Sequence, residues 1–210
     1  SSHISYSYLA NALALKFEAR IVAFNPSMIK KLWRKIDWSL SSFFSVSEFA
    51  VYRSFGVSEF LLPKLNVRQL NRAKWLSKTI YGGLKEKVDV ESIQIDGVWL
   101  GDLIYDTYLK NYKRPTIDIK DESFVVFLFD AISFYVYWDE YFDNHDVRAV
   151  NVSHCVYINA IPLRIAVNKN IPVFQISASH VYRLSNKNLF AYNDFFGFFN
   201  SCLLYLFPKF

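Results

Sequence analysis

Apolar positions along this chain recur in two rhythms. Leu9, Ala12, Leu13 and Phe17 fall on one stripe, as do Leu70, Ala73 and Ser77. Spacings of three and four place side chains on one helix face, so both stretches are predicted helices. A third stripe, Leu100, Ile104, Tyr108 and Leu109, predicts a helix in "DGVWLGDLIYDTYLKNY". A fourth, Phe124, Leu128, Ala131, Tyr135 and Trp138, predicts a long aromatic helix over Ser123–Phe142. Between them lie short apolar runs, "ARIVAF" (Ala19–Phe24), "SEFLLP" (Ser58–Pro63), "VRAVNVS" and "IPVFQIS", and one stretch that alternates like a strand, "VESIQI" (Val90–Ile95). Continuous rather than alternating apolar runs suit strands buried on both faces, as in parallel sheets.

Punctuation supports these bounds. Pro26 opens "PSMIKKLWRKI" as a helix start allows, and Gly82-Gly83 closes the helix begun near Asn66. "SVSEFAVYRSFGV" is predicted as a further helix, and "NAIPLRIAVNKN" as a helix between two strands. Strands alternating with helices predict an α/β fold, a Rossmann-like open parallel sheet with helices on both faces. The opening "SSHISYSYLANALALKF" is helical from the start, so a strand and turn are expected to precede it as the first half of a βα unit.

Composition narrows the class. The 210 residues are 52% hydrophobic and only 20% charged, which excludes a disordered chain and leaves room for a proper core. An aromatic share of 19% is high and suggests an exposed sticky face or a domain that has lost a partner surface. The net charge of +5 is dispersed, and its densest run, Lys30–Lys35, reads as one solvated helix face. No zinc-finger or RNA-binding aromatic signature is present, so nucleic acid is not an expected partner. Two cysteines far apart, Cys155 and Cys202, suggest neither a disulfide framework nor a zinc site. The run Ser123–Trp138 holds one charge in 16 residues, short of the roughly 20 a membrane span needs, and reads as a buried helix.

Candidate chemistry gathers at strand ends, because ligands of open parallel sheets bind beyond the carboxyl ends of the strands. Ser153 and His154 end one strand and Ser177 ends the next, with Tyr157, Arg164 and His180 close behind. An imidazole there can take a proton from a hydroxyl, and a guanidinium can hold an anion. His3 stands at the start of the first helix, where anions and hydroxyls are favoured. Asp96 reads as a helix cap, and Asp102 and Asp106 share one helix face without a third metal ligand. Gly97 and Gly101 let that helix start approach a ligand or a neighbouring strand. Neither GxGxxG nor a P-loop is present, which disfavours a nucleotide-dependent epimerase or dehydrogenase.

The segments "RAVNVSHCVY" and "PLRIAVNKNIPVF", together with "IDGVWLGDLIYDTYLK", resemble bacterial capsule and surface-polysaccharide biosynthesis proteins. Those are similar to the amino-terminal domain of GT-B glycosyltransferases, and the resemblance runs in pieces from Ser1 to Ser185. It implies one half of a GT-B architecture: an acceptor-side domain over 1–185 and an aromatic carboxyl-terminal helical segment over 186–210. It implies transfer of a sugar from a nucleotide donor to a glycan acceptor, lipid-linked acceptors included. The nucleotide sugar would be a substrate held by a second domain outside this chain, with no metal or other cofactor. His154 and His3 are then the expected catalytic bases, with Ser153, Tyr157, Arg164, Ser177, His180 and Asp102 lining the substrate. The implied setting is cytoplasmic, at the inner face of the cytoplasmic membrane with peripheral membrane contact. The competing expectation is a non-catalytic α/β module or pseudoenzyme that recruits a glycan or protein partner.

Overall fold

The computed structural model describes residues 2–24, 50–152, 154–176 and 180–190. The fold is mixed α/β, with helices grouped around small sheets. Helix α1 (Ser2–Phe17) turns through Glu18–Arg20 into strand β1 (Ile21–Phe24). A short helix α2 (Ala50–Ser54) leads to β2 (Val57–Leu61), which pairs parallel to β1 with Val22 opposite Glu59 and Phe24 opposite Leu61. The helix expected over "SVSEFAVYRSFGV" is therefore seen as Ala50–Ser54, stopped by Gly56 at φ 80°. The expected helix after Pro26, the Lys30–Lys35 run and the closing aromatic segment lie outside the described residues.

Helix α3 (Val67–Gly83) begins with a reciprocal cap. Asn66 accepts from the Gln69 amide at 2.9 Å, and the Gln69 side chain accepts from the Asn66 amide at 2.9 Å. Helix α6 (Glu122–Asn144) begins at Asp121, whose carboxylate accepts from the Ser123 amide at 2.9 Å. Its 23 residues run through the centre of the molecule, burying Phe124, Phe127, Leu128, Ala131, Ile132 and Tyr135, among others. Helices α3 and α7 (Ile161–Asn168) pack against it. Helix α5 (Gly101–Tyr112) contributes Leu103, Ile104 and Tyr108, the last meeting Phe124 edge-on at 5.4 Å. Thus the aromatic stripe read from the sequence is core. Among the described residues no helix is long and apolar enough to cross a membrane.

Strands β5 (Val150–Val152) and β6 (Val173–Ile176) pair in parallel on either side of α7, the predicted strand–helix–strand unit. Strand β7 (Val181–Leu184) adds antiparallel to β6, with Phe174 opposite Arg183. Among the described residues the strands do not join into one open sheet. They form the parallel pair β1–β2, the three-stranded β5–β6–β7 and a separate hairpin.

That hairpin corrects two expectations. The run Val90–Ile95 divides into a helix, α4 (Lys87–Glu91), and a two-residue strand, β3 (Gln94–Ile95), paired antiparallel to β4 (Val98–Trp99). Asp96 and Gly97 between them stand at φ 51° and 80°, so Asp96 is a turn residue and not the cap of α5. Positive φ at both central residues is the tight hairpin turn for which Asp-Gly is suited. Helix α4 forms because Asp89 accepts from the amides of Lys85 and Glu86 at 2.7 and 2.8 Å.

The two aspartate caps predict the acid limb of stability. Hydrogen bonds from the Glu86 and then the Lys85 amide hold Asp89 below the usual carboxylate range, and those from Ser123 do the same for Asp121. A lowered folded pKa contributes stability above the unfolded value, which is lost as pH falls through the folded one. The urea midpoint is expected to decline below roughly pH 4, the unfolded carboxylate range. A variant carrying both Asp89→Asn and Asp121→Asn should decline less steeply. Equal acid slopes for the two proteins would refute the assignment.

Candidate functional site

A cavity of about 1250 Å³ opens among the described residues. Its walls are β1 on one side and the stretch Val147–Val152, including β5, on the other. Helix α1 lines it with Tyr6, Ser7 and Ala10, and the last turns of α6 line it with Trp138, Tyr141 and Phe142. His154, two residues past the end of β5, lines the same cavity and is exposed to solvent, and Asn159 lines it too. Ser153 lies outside the described residues.

The polar groups on the cavity differ in what they can offer. Burial raises the pKa of the Tyr6 and Tyr141 phenols, so both remain protonated at neutral pH. His145 stacks on Tyr141 with ring centroids 4.0 Å apart, and its Nδ1 lies 2.9 Å from the Tyr141 carbonyl. Asn151 Nδ2 donates to the Tyr6 carbonyl at 3.0 Å, tying β5 to α1. Two buried polar atoms on the walls have no hydrogen-bond partner among the described residues: Asn151 Oδ1 and Trp138 Nε1. Sequence reading missed Tyr6, His145, Asn151 and Asn159. The one signal available was Asn151 in the middle of an apolar strand, a buried amide that must point somewhere.

The other predicted site residues are placed elsewhere. Arg164 is 3% exposed, inside α7. Its two terminal nitrogens donate to the two Asp102 oxygens at 2.5 and 2.6 Å, and Nη1 also donates to the Trp99 carbonyl at 2.8 Å. The guanidinium lies 4.8 Å from the Trp99 ring and 5.2 Å from that of Phe190. Arg164 and Asp102 are thus committed to each other, and neither lines the cavity. Asp102, expected behind the histidines, stands behind an arginine instead.

Tyr157 is half-buried and adopts φ 61°, ψ −178°, a conformation bulky residues rarely hold. The Lys110 ammonium lies 3.9 Å from its ring, and the Ile158 amide donates to Thr107 Oγ1 at 2.8 Å, fixing the turn after β5. His180, half-buried at the start of β7, has its ring 6.0 Å from that of Tyr182. Neither Tyr157 nor His180 lines the cavity. His3 lies in the first turn of α1, and Ser177 is outside the described residues. Cys155 is buried.

A second polar cluster had no counterpart in the sequence reading. Arg72 on α3 bonds Asp139 at 2.8 Å and Asp96 at 3.1 Å, and Lys169 bonds Asp139 at 2.9 Å and Asp143 at 2.5 Å. Tyr135 donates to Asp96 at 3.0 Å, and its own pKa is raised by burial and by the Asp139 and Asp96 charges. Burial opposes the charge on Arg72, but the Asp139 bond and the surrounding carboxylates outweigh it and raise its pKa. These groups satisfy one another and clamp α3, α6, the end of α7 and the hairpin. Among the described residues no group of three histidines, cysteines or carboxylates could hold a metal ion.

Comparison with protein-family models, curated proteins and solved structures finds no match.

Proposed function

We propose that this chain is the acceptor-side domain of a glycosyltransferase-like protein of bacterial surface-polysaccharide synthesis, binding a glycan at the edge where β1, β5 and β6 end. The single observation that carries the reading is His154, exposed just past β5 at the cavity that separates two parallel strand pairs. The carboxyl end of parallel strands is where ligands bind in open α/β sheets. Imidazole is the side chain that accepts a proton near neutral pH, as an inverting transfer to a sugar hydroxyl requires. Asn159 and Tyr6 line the same cavity, an amide and a phenol of the kind that read hydroxyls. The resemblance of the "VSHCVY" and "GDLIYDTYL" segments to capsule biosynthesis proteins supports the same reading. The nucleotide-sugar donor would be held by a second domain, as in GT-B enzymes, and no metal or further cofactor is called for. Lipid-linked acceptors place the domain on the cytoplasmic face of the membrane.

The second reading, a glycan-binding module without chemistry, is favoured by one contact. Asp102 is held by Arg164 and does not orient His154.

Binding of a panel of surface-glycan fragments, measured by calorimetry with the parent protein, tests the proposal. His154→Ala is expected to weaken acceptor binding at least about tenfold, the scale of one lost hydrogen bond to a charged or strongly polar group. Its melting temperature should hardly change, since the side chain is exposed. Sugar transfer from a nucleotide donor separates the transferase from the module. Unchanged glycan binding by His154→Ala, or no binding by either protein, would sink the proposal.

A further inference from the structure

The cavity is lined by two strands, β1 and β5. Strand β1 pairs with β2 along one edge, and β5 pairs with β6 along one edge. The other edge of each has no strand partner among the described residues, and both strands line the cavity. Helix α1, which touches β1, β5 and β6, covers it on one side, and Trp138, Tyr141 and Phe142 of α6 lie on its wall as well.

The two bordering strands run in the same direction. Strand β1 starts after Arg20, whose charge acts on the Tyr141 phenol, and ends at Phe24, whose ring lies 4.4 Å from that of Trp138. It therefore runs against α6. The chain leaves α6 at Asn144, beside Tyr141, and by Asn151 has reached Tyr6 near the first turns of α1. Because α1 ends where β1 begins, β5 climbs from the start of β1 toward its end. A strand set between them, parallel to both, would finish at the first turn of α1. It would then form with α1 and β1 a parallel strand–helix–strand unit.

Size and polarity agree. A strand residue in a covered sheet occupies about 3.3 Å of rise, 4.8 Å of strand spacing and 10 Å of layer depth, or about 160 Å³. A cavity of about 1250 Å³ therefore takes a strand of about eight residues. Its walls hold one buried acceptor, Asn151 Oδ1, and one buried donor, Trp138 Nε1, without partners among the described residues. Buried polar groups are nearly always hydrogen-bonded, and a strand brings both amide and carbonyl groups.

We infer that the slot between β1 and β5 receives a parallel β-strand of the same polypeptide, one that leads directly into α1 through Ser1. It joins β1–β2 and β5–β6–β7 into one sheet in the order β2–β1–inserted strand–β5–β6–β7. The turn from that strand into α1 then reaches the edge where His154 stands. The inference does not depend on the glycan reading, since it concerns the sheet and not its ligand.

Amide hydrogen exchange by nuclear magnetic resonance tests it, comparing residues 1–210 with the polypeptide translated from the start codon of the same reading frame. In the longer protein the amides of β1 and β5 that face the slot, and not those such as Val150 already bonded to the neighbouring strand, should exchange at least tenfold more slowly, as should the indole N–H of Trp138. A version of the longer protein with two prolines in the residues preceding Ser1 should lose that protection while remaining folded at α6, whose amides serve as the internal control. A reading frame that places no residues but the initiator before Ser1 would overturn the inference. So would equal exchange in the two proteins, protection that grows with protein concentration as a second copy would give, or the same amides protected in residues 1–210 alone.

Discussion

Gly101→Ala is expected to destabilise the protein by about 3 kcal/mol or more, at the upper end of what overpacking a core costs. Gly101 is buried at the first position of α5, where its own amide and that of Leu100 donate to the Ile93 carbonyl at 3.0 and 2.9 Å. A Cβ there would run into the carbonyl carbon and oxygen of Glu91 and the carbonyl oxygen of Val90. These are backbone atoms at the end of α4, so no side-chain rotation can relieve the clash. The start of α5 would have to lift from α4, disturbing Leu103 and Ile104 in the core behind it. Gly82→Ala is the matched control. A Cβ at Gly82 meets nothing within 4 Å, and alanine there should stabilise α3 by up to about 1 kcal/mol through helix propensity. Urea unfolding of both variants checks the pair. A Gly101→Ala protein as stable as the parent would show that α4 and α5 are not in this contact.

Asp102→Ala is the second large effect, a loss of about 3–5 kcal/mol. The reason is not the attraction between Asp102 and Arg164 as such, because much of that attraction only offsets the cost of taking two charges out of water. The reason is what remains. Arg164 is 3% exposed, and without the carboxylate its guanidinium would be left with the Trp99 carbonyl and two ring faces. Removing both charges together, as Asp102→Ala with Arg164→Met, should recover a large part of the loss, since apolar replacements of buried pairs are often near neutral. A double-mutant cycle by urea unfolding measures this directly. An Asp102→Ala protein of unchanged stability with weakened ligand binding would instead restore Asp102 and Arg164 to the binding site.

The same pair shows where sequence reading stops. Asp102 and Arg164 lie 62 residues apart, and each was legible as a charge on a helix. Nothing in local spacing says that the two helices bring them into bidentate contact. The Asp96–Gly97 turn was nearer to legible, because Asp-Gly between apolar pairs is a hairpin signal. The stronger apolar alternation of "VESIQI" masked it. Gly101 was read as a close approach of a helix start to a ligand or a strand, and what it meets is instead the carbonyl end of a helix, α4. The clamp around Asp139 went unseen because its partners come from α3, the hairpin and the end of α7.

What the sequence determined by itself is the local order: the capped start of α3, the long aromatic helix α6, and β5, α7 and β6 in succession. Each follows from periodicity, end residues and run length, which act over a few turns of chain and need no knowledge of the neighbour. Tertiary structure alone decided which charges became partners, which glycine faces a backbone, and that β1 and β5 border a slot instead of each other. Those outcomes depend on desolvation and packing between segments far apart in the chain. The free energy of burying a charge, a Cβ or a strand edge is set by the surface that meets it.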